Sequence, residues 1–352
     1  MPQIAKIKPV RSPSKLEGIP SSPQLDLFGN FWGDAEDRSN TIELWDALPI
    51  YSFLLRRQSR IREANGRLPV HAHTFTYRQR ECRIEVQPAS IRQSNGSFED
   101  YYPSADEELV EEVLRKIFAD QQYGRHDAGG LESWVKFSLQ MIAKELRKRG
   151  RTRSIDQIKR SINILSKTHI SFYLEDDTRP IYMNTILSDV TQITREEYLN
   201  DGSSMSWARL PALISKSIND LTYRQFNYGK LMELKSQLAR WLHKHLSHIY
   251  TNASLAHPYE VMFSTIQKNS GLLAYVRTQQ NVKELEKGLD ELKAKGVLSD
   301  WMKEERRGDK NKINDIKYTF FPSGHFVSDV KAANARRKDS AMRLQKPIKG
   351  GR

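Results

Sequence analysis

Between Ser104 and Leu187 the chain is punctuated so closely that few arrangements satisfy it. Ser104, with Glu107 three residues on, writes a capping box, and Leu109, Val113, Leu114 and Ile117 then recur at helical spacing. Gly129-Gly130 breaks the chain, and Trp134 to Phe137 suits a short strand. Ser138 opens a second helix with Leu139, Ile142, Ala143 and Leu146 on one face, closed at Arg149-Gly150. Ser154 opens a third, carrying Ile155, Ile158, Ile162 and Leu165. Ile170, Phe172 and Leu174 alternate as a strand, Glu175 to Pro180 turn, and Ile181 to Leu187 return.

A similar order follows. Met205 to Leu210 reads as a strand, Pro211 to Asn219 as a short helix with proline at its start, and Tyr228 to Tyr250 as one long helix. Tyr259 to Phe263 is a strand, a short helix runs to Ser270, and Asn281 to Lys295 is a helix ended by Gly296. Two strands, Val297 to Lys303 and Ile316 to Phe321, then flank a basic, glycine-containing tip that includes Arg306, Arg307, Lys310 and Lys312. Helix, strand, helix, helix and a basic hairpin make the order of a winged helix. The predicted class is therefore α+β, with two tandem winged-helix domains at 104–200 and 201–325. A strand-rich segment, 41–103, packs on the first domain, and one strand is expected from Phe75 to Gln87. Residues 1–40, dense in Pro, Ser and Gly, read as a disordered tail. Residues 326–352 read as a basic tail, helical over Ala332 to Leu344 only on contact with DNA.

Charge says what such an architecture meets. Among 352 residues, 56 Lys and Arg stand against 43 Asp and Glu, a net of +13, and a folded chain this basic points to a polyanion. The helix from Ser154 to Lys167 is the first recognition-helix candidate. Arg151, Arg153, Lys159, Arg160 and Lys167 lie on its approach and outer face, and a major groove accepts such a helix while cations displace counterions from phosphates. No stretch has the roughly 18 apolar residues of a membrane span. The one cysteine, Cys82, excludes an intrachain disulfide, and a reducing cytoplasm is the expected compartment.

The remaining motifs divide. Gln24, Leu25, Asp26, Leu27 and Phe28 have the form of the peptide with which bacterial replication proteins bind the sliding clamp, an amide followed by three apolar anchors. His71 and His73 invite comparison with the metal site of a rolling-circle nicking enzyme, with Tyr77, Tyr101 or Tyr102 as nucleophile, but two histidines on one side of a strand are commonplace. His243, His245 and His248 read as packing or surface histidines, and Glu107-Glu108 and Glu111-Glu112 as solvated helix faces. No phosphate-cradling loop or nucleophile elbow is present, so no enzyme and no cofactor is expected.

Two runs carry a resemblance: Asn40 to Pro49 (Asn-Thr-Ile-Glu-Leu-Trp-Asp-Ala-Leu-Pro), and Arg224 to Leu246, with Phe226-Asn227-Tyr228 entering a long helix and then Ser236, Leu238, Arg240 and Leu242. Over about residues 40–322 the chain resembles the RepA/TrfA-type plasmid replication initiators. The resemblance implies two winged helices on repeated origin DNA (iterons), opening of the adjacent duplex, and recruitment of the host clamp, helicase and chromosomal initiator. It also implies a monomer–dimer balance. It carries DNA contact to the second helix, at Lys283 and Lys287, although the acidic spacing Glu284, Glu286, Asp290, Glu291 there shifts weight to the wing. A winged-helix transcriptional repressor is the alternative.

Overall fold

The computed structural model describes residues 37–53, 55–120, 122–174, 177–191, 205–308 and 313–345. It is a mixed α/β chain whose described strands all pair antiparallel. Two apolar cores divide it, one drawing on residues from Ile42 to Met232 and the other from Leu234 to Val330.

The first body opens with β1 (Arg38–Ile42), α1 (Glu43–Ala47) and α2 (Leu55–Ile61), followed by β2 (His71–Tyr77), β3 (Arg80–Gln87), β4 (Ala89–Arg92) and β5 (Phe98–Tyr101). The single strand expected from Phe75 to Gln87 is thus a hairpin. Arg78 and Gln79 turn it with φ of 48° and 65°. A two-residue turn preserves the parity of the alternation, so the pattern runs through the corner unmarked, and neither residue is the Asn or Gly that usually signals it.

Next come α3 (Ala105–Phe118), β6 (Gly124–Asp127), β7 (Glu132–Phe137), α4 (Leu139–Lys148), α5 (Ile155–Lys167), β8 (His169–Leu174), β9 (Tyr182–Thr185) and β10 (Ser188–Thr191). The three expected serine caps are present: Ser104 and Ser154 form capping boxes with Glu107 and Gln157, and Ser138 accepts from the Met141 amide.

β11 (Ser206–Arg209), α6 (Ala212–Asn219), β12 (Tyr223–Asn227) and α7 (Tyr228–Glu233) also belong to this body. The expected boundary at 200/201 therefore moves to the Met232–Leu234 joint. β11 enters the sheet β10-β11-β7-β6, and β12 pairs with β1. Ala208, Ile214, Phe226 and Leu231 bury in the first core, and periodicity locates apolar faces without saying which core they join.

The second body is α8 (Gln237–Ile249), β13 (Tyr259–Met262), α9 (Phe263–Ser270), α10 (Thr278–Ala294), β14 (Leu298–Arg307), β15 (Ile313–Pro322) and α11 (Gly324–Gln345), with sheet order β13-β15-β14. The long helix expected over Tyr228–Tyr250 is broken. α7 stops at Glu233, and Ser236 caps α8 by accepting from the Ala239 amide. The C-terminal segment differs from expectation too. It is helical without DNA because Phe326, Val327, Val330 and Ala333 form a buried stripe. Asp329 ties this helix to Arg38 at 2.6 Å and to Asn227 at 3.1 Å.

A buried ionic seam joins the bodies. Glu107, Glu108, Glu111 and Glu112 of α3, expected to face water, are each 5% exposed or less. Glu107 accepts from Ser161 at 2.7 Å, Glu108 from Arg240 at 2.8 Å, Glu111 from the Trp45 indole and the Tyr51 hydroxyl at 2.6 Å each, and Glu112 from Lys244 at 2.5 Å. Asp46 receives both Arg115 (2.7 Å) and Lys244 (2.9 Å). Burial opposes its charge, but those two cations outweigh it and hold the carboxyl well below the usual range. Glu111, with no cation paired to it among the described residues, is pushed up by burial.

Candidate nucleic-acid interface

α5 turns Ile158, Ser161, Ile162 and Leu165 inward. The opposite stripe carries Asp156, Lys159, Asn163 and Lys167, of which the two lysines are exposed and form no ion pair with another described residue. Arg160 lies at the edge of this stripe with its guanidinium 4.3 Å from the centre of the Tyr101 ring. Two of the expected contacts are committed elsewhere. Arg153 bonds Asp106 at 2.5 and 3.1 Å. Arg151 reaches back to the joint, donating to the carbonyls of Met232 (3.3 Å) and Leu234. Basicity in sequence could not separate cations that face solvent from cations that satisfy backbone.

α10 is the more open of the two. Lys283 and Lys287 are exposed, with Lys287 3.7 Å from Glu284 across the helix surface. The other three carboxylates that cast doubt on this helix each have a partner within the fold. Glu286 binds Lys303 at 2.6 Å, Asp290 accepts from the Trp301 indole at 3.0 Å, and Glu291 accepts the Ser236 amide at 2.9 Å at the start of α8. The helix also begins earlier than its apolar stripe suggested, exposing Thr278, Gln279 and Gln280. Gln280, Lys283 and Lys287 follow one another at i, i+3, i+7 and so share a face. Sequence reasoning, which looked for cations, passed over the glutamines. Buried Asn281 fixes the preceding turn by accepting the Tyr275 amide (2.9 Å) and donating to the Tyr275 carbonyl (2.8 Å).

The long hairpin β14–β15 presents Arg306 and Arg307 at its exposed end, each beside a glutamate two residues earlier on the same strand, Glu304 and Glu305. Such surface pairs are worth little and open readily to a phosphate. Lys310 and Lys312 lie outside the described residues, as do Gln24, Leu25, Asp26, Leu27 and Phe28.

The histidines resolve into packing. His71 meets Phe53 edge-on at 4.2 Å, and the His73 ring bonds the Lys268 carbonyl at 2.7 Å. Tyr102 stacks on Phe53 at 4.0 Å. His243 is enclosed near Phe226 and Phe326, His245 stacks on Trp241, and His248 bonds Thr41 at 2.8 Å. Burial pushes all three down to about 4.

The two candidate helices meet at one place. Arg151, just ahead of α5, and Glu291, on α10, both bind the 232–236 joint, and Lys295 just beyond α10 lies 3.4 Å from Glu233 beside it. Among the described residues no helix is long and apolar enough to cross a membrane.

No family model matches this sequence, and no curated protein matches it. Solved structures do. A selenomethionine derivative of domains 2 and 3 of RctB is similar at 11% identity and TM-score 0.45, over 73% of this chain and 92% of that one. The Pi initiator protein in complex with iteron DNA is similar at 13% identity and TM-score 0.43, over 62% of this chain and 91% of that one. A further structure of RctB domains 2–3 is similar at 12% identity and TM-score 0.42, over 76% and 95% respectively.

Proposed function

We propose that the chain is a replication initiator that binds repeated elements of double-stranded origin DNA through two winged helices and has no catalytic site. The observation that carries this reading is the second body. Its elements run helix, strand, helix, helix, hairpin, with the first strand on the outer side of the third, an order that supports the winged-helix reading. Its third helix turns Gln280, Lys283 and Lys287 outward, while Glu286, Asp290 and Glu291 are engaged by Lys303, the Trp301 indole and the Ser236 amide. Lysines neutralise phosphates, and a glutamine amide matches the donor–acceptor edge of adenine. The first body supplies a second reader, α5, with Lys159, Arg160 and Lys167. Several copies on adjacent repeats would bend the duplex at a cost of about 1–6 kcal/mol per site, offset by protein contacts, and strain a neighbouring A·T-rich segment toward opening. Residues 24–28 would then hold the host clamp at the origin, bringing replication proteins to the opened strands.

The test is fluorescence anisotropy with DNA flanking the chain's own gene against scrambled duplex, across a salt series. Preference for repeated elements that persists as salt rises is the expected result. Equal, steeply salt-sensitive binding to both duplexes would remove origin recognition. Leu27→Ala with Phe28→Ala should abolish clamp binding and leave duplex binding intact. A chain that binds its repeats but never the clamp is the repressor alternative.

A further inference from the structure

The hairpin β4–β5 lies against the solvent side of α5, where Ala89 and Tyr101 enclose Ile164 of that helix and Ile91 packs beside them. It contributes nothing to the main core of its body, so its position rather than its packing calls for a reason. Its ladder runs Ala89↔Tyr101, Ser90↔Asp100, Ile91↔Glu99, Arg92↔Phe98. The open end is rigid. Gln93 and Ser97 bond through their backbones at 2.8 Å, the Asn95 side chain accepts the Ser97 amide at 3.0 Å, and Gly96 takes φ of 84°. Arg92 and Phe98, the last pair of the ladder, and Ser94, Asn95 and Ser97 beyond it are exposed.

The electrostatics of this corner are one-sided. The Tyr101 ring at the hairpin's base carries two guanidiniums, Arg160 of α5 at 4.3 Å and Arg62 at 4.7 Å. α2 is bolted alongside, since Gln58 exchanges hydrogen bonds of 3.0 and 3.1 Å with the Tyr102 backbone. Of the nearby carboxylates, Asp100 is paired with Arg67 at 3.1 Å and Glu99 with Arg62 at 3.2 Å, while the exposed Glu63 accepts from the Asn65 side chain at 3.1 Å. Arg57, Arg60 and Arg92 remain exposed and form no ion pair with another described residue. At about 3.3 Å per residue the four-residue strand carries Arg92 roughly 10 Å along the hairpin from Ala89. That is comparable to the roughly 12 Å width of a major groove.

We infer that the β4–β5 hairpin, with Arg92 and Asn95 at its end and Arg60 on the adjoining helix, is a DNA-contacting arm of the first body that binds the phosphate backbone bordering the groove occupied by α5. The inference rests on the reading of α5 as a duplex-binding helix. Asn95 sits at the rigid tip with no core role, Arg60 and Arg92 supply the charge, and Tyr101 fixes Arg160 between the arm and the helix.

Cys82 is fully buried, which leaves an introduced cysteine as the accessible thiol for an iron–EDTA tether. In the full chain, Asn95→Cys and Lys159→Cys are each tethered and bound to a 40-base-pair duplex selected by the wild type from a randomised library. Backbone cleavage from the Asn95 position within about half a helical turn of that from Lys159 is expected. In parallel, Arg60→Ala with Arg92→Ala should lower the slope of log affinity against log salt by about 1.8, at roughly 0.9 per phosphate contact, with the melting temperature unchanged. Cleavage from Lys159 but none from Asn95, or an unchanged slope, overturns the arm and leaves the α5 reading standing. No cleavage from either position on a duplex the chain does bind overturns the α5 reading and the arm with it.

Discussion

At the scale of single residues, the chain's charge is divided between solvent and seam, and the division is invisible to a count. Glu108 and Glu112 have the spacing of a solvated helix face, yet each is at most 5% exposed and answered by a cation from α8. Removing one partner of a buried pair leaves a desolvated charge, so Arg240→Ala should lower unfolding free energy by about 3–5 kcal/mol in urea titrations, whereas replacing the pair together by Met and Leu should recover part of that loss. Recovery stays partial because Arg240 also serves the carbonyls of Leu234 and Lys235. His243 makes a pH prediction. Burial holds it near 4, against 6.5 in an unfolded chain, with the Asp329 carboxylate raising it and Lys244 and Lys230 lowering it. A depressed folded pKa means that the unfolded chain takes up the proton first. Stability is therefore complete above pH 6.5 and falls as pH drops from there toward 4. At pH 5 this one residue costs about 2 kcal/mol, and His243→Leu should flatten the pH dependence of the unfolding free energy from urea titrations by that amount. The sequence made these histidines packing or surface groups. It could not choose between the two, because the residues that enclose His243, Phe226 and Phe326, come from distant parts of the chain.

At the scale of elements, most of what was legible was local. Ser104, Ser138 and Ser154 cap helices where their side chains and the following apolar stripe said they would, since capping is decided within four residues. Ser236 does the same for α8, but it sits inside a continuous helical stripe, and the break it makes was hidden by the leucines on either side. The Phe326–Ala333 stripe was hidden in the opposite sense, by the basic residues that share its helix. For the interface, the family resemblance pointed to α10, and the spacing of its carboxylates put that role in doubt. Only the positions of Lys303, Trp301 and the Ser236 amide reveal that Glu286, Asp290 and Glu291 are engaged. On the proposed function, the helix as well as the β14–β15 hairpin should therefore carry affinity. Lys283→Ala with Lys287→Ala is expected to weaken duplex binding across all sequences and reduce the salt slope by about 1.8 if both lysines meet phosphate, as read by anisotropy from 0.05 to 0.3 M salt. A slope unchanged from wild type would return the role to the hairpin.

At the scale of the molecule, a short joint adds to the ionic seam between the two bodies, and Arg151 is the residue on which two accounts of the chain part. Read from sequence, it is a cation on the approach to a recognition helix and so a phosphate contact. In the fold its guanidinium is turned onto the carbonyls of Met232 and Leu234, and burial lowers its pKa from the ordinary arginine value. On the other side of the same joint Glu291 accepts the Ser236 amide, so the start of α5 and the second half of α10 are pinned to one stretch of five residues. Two readers held at a fixed separation bind a composite site with the second contact made nearly intramolecular, and that advantage shrinks when their relative placement loosens. The accounts then differ in kind. Were Arg151 a phosphate contact, Arg151→Ala would cut the salt slope by about 0.9. As a brace it leaves the slope unchanged, because no counterion release is lost. The variant instead weakens binding to the full composite site by about tenfold, roughly 1.4 kcal/mol, and leaves binding to a duplex long enough for only one body unaltered. Anisotropy on the long and the short duplex, each across a salt series, separates the two. Weaker binding on the long duplex alone at constant slope assigns Arg151 to the joint, whereas a shallower slope on both returns it to the DNA.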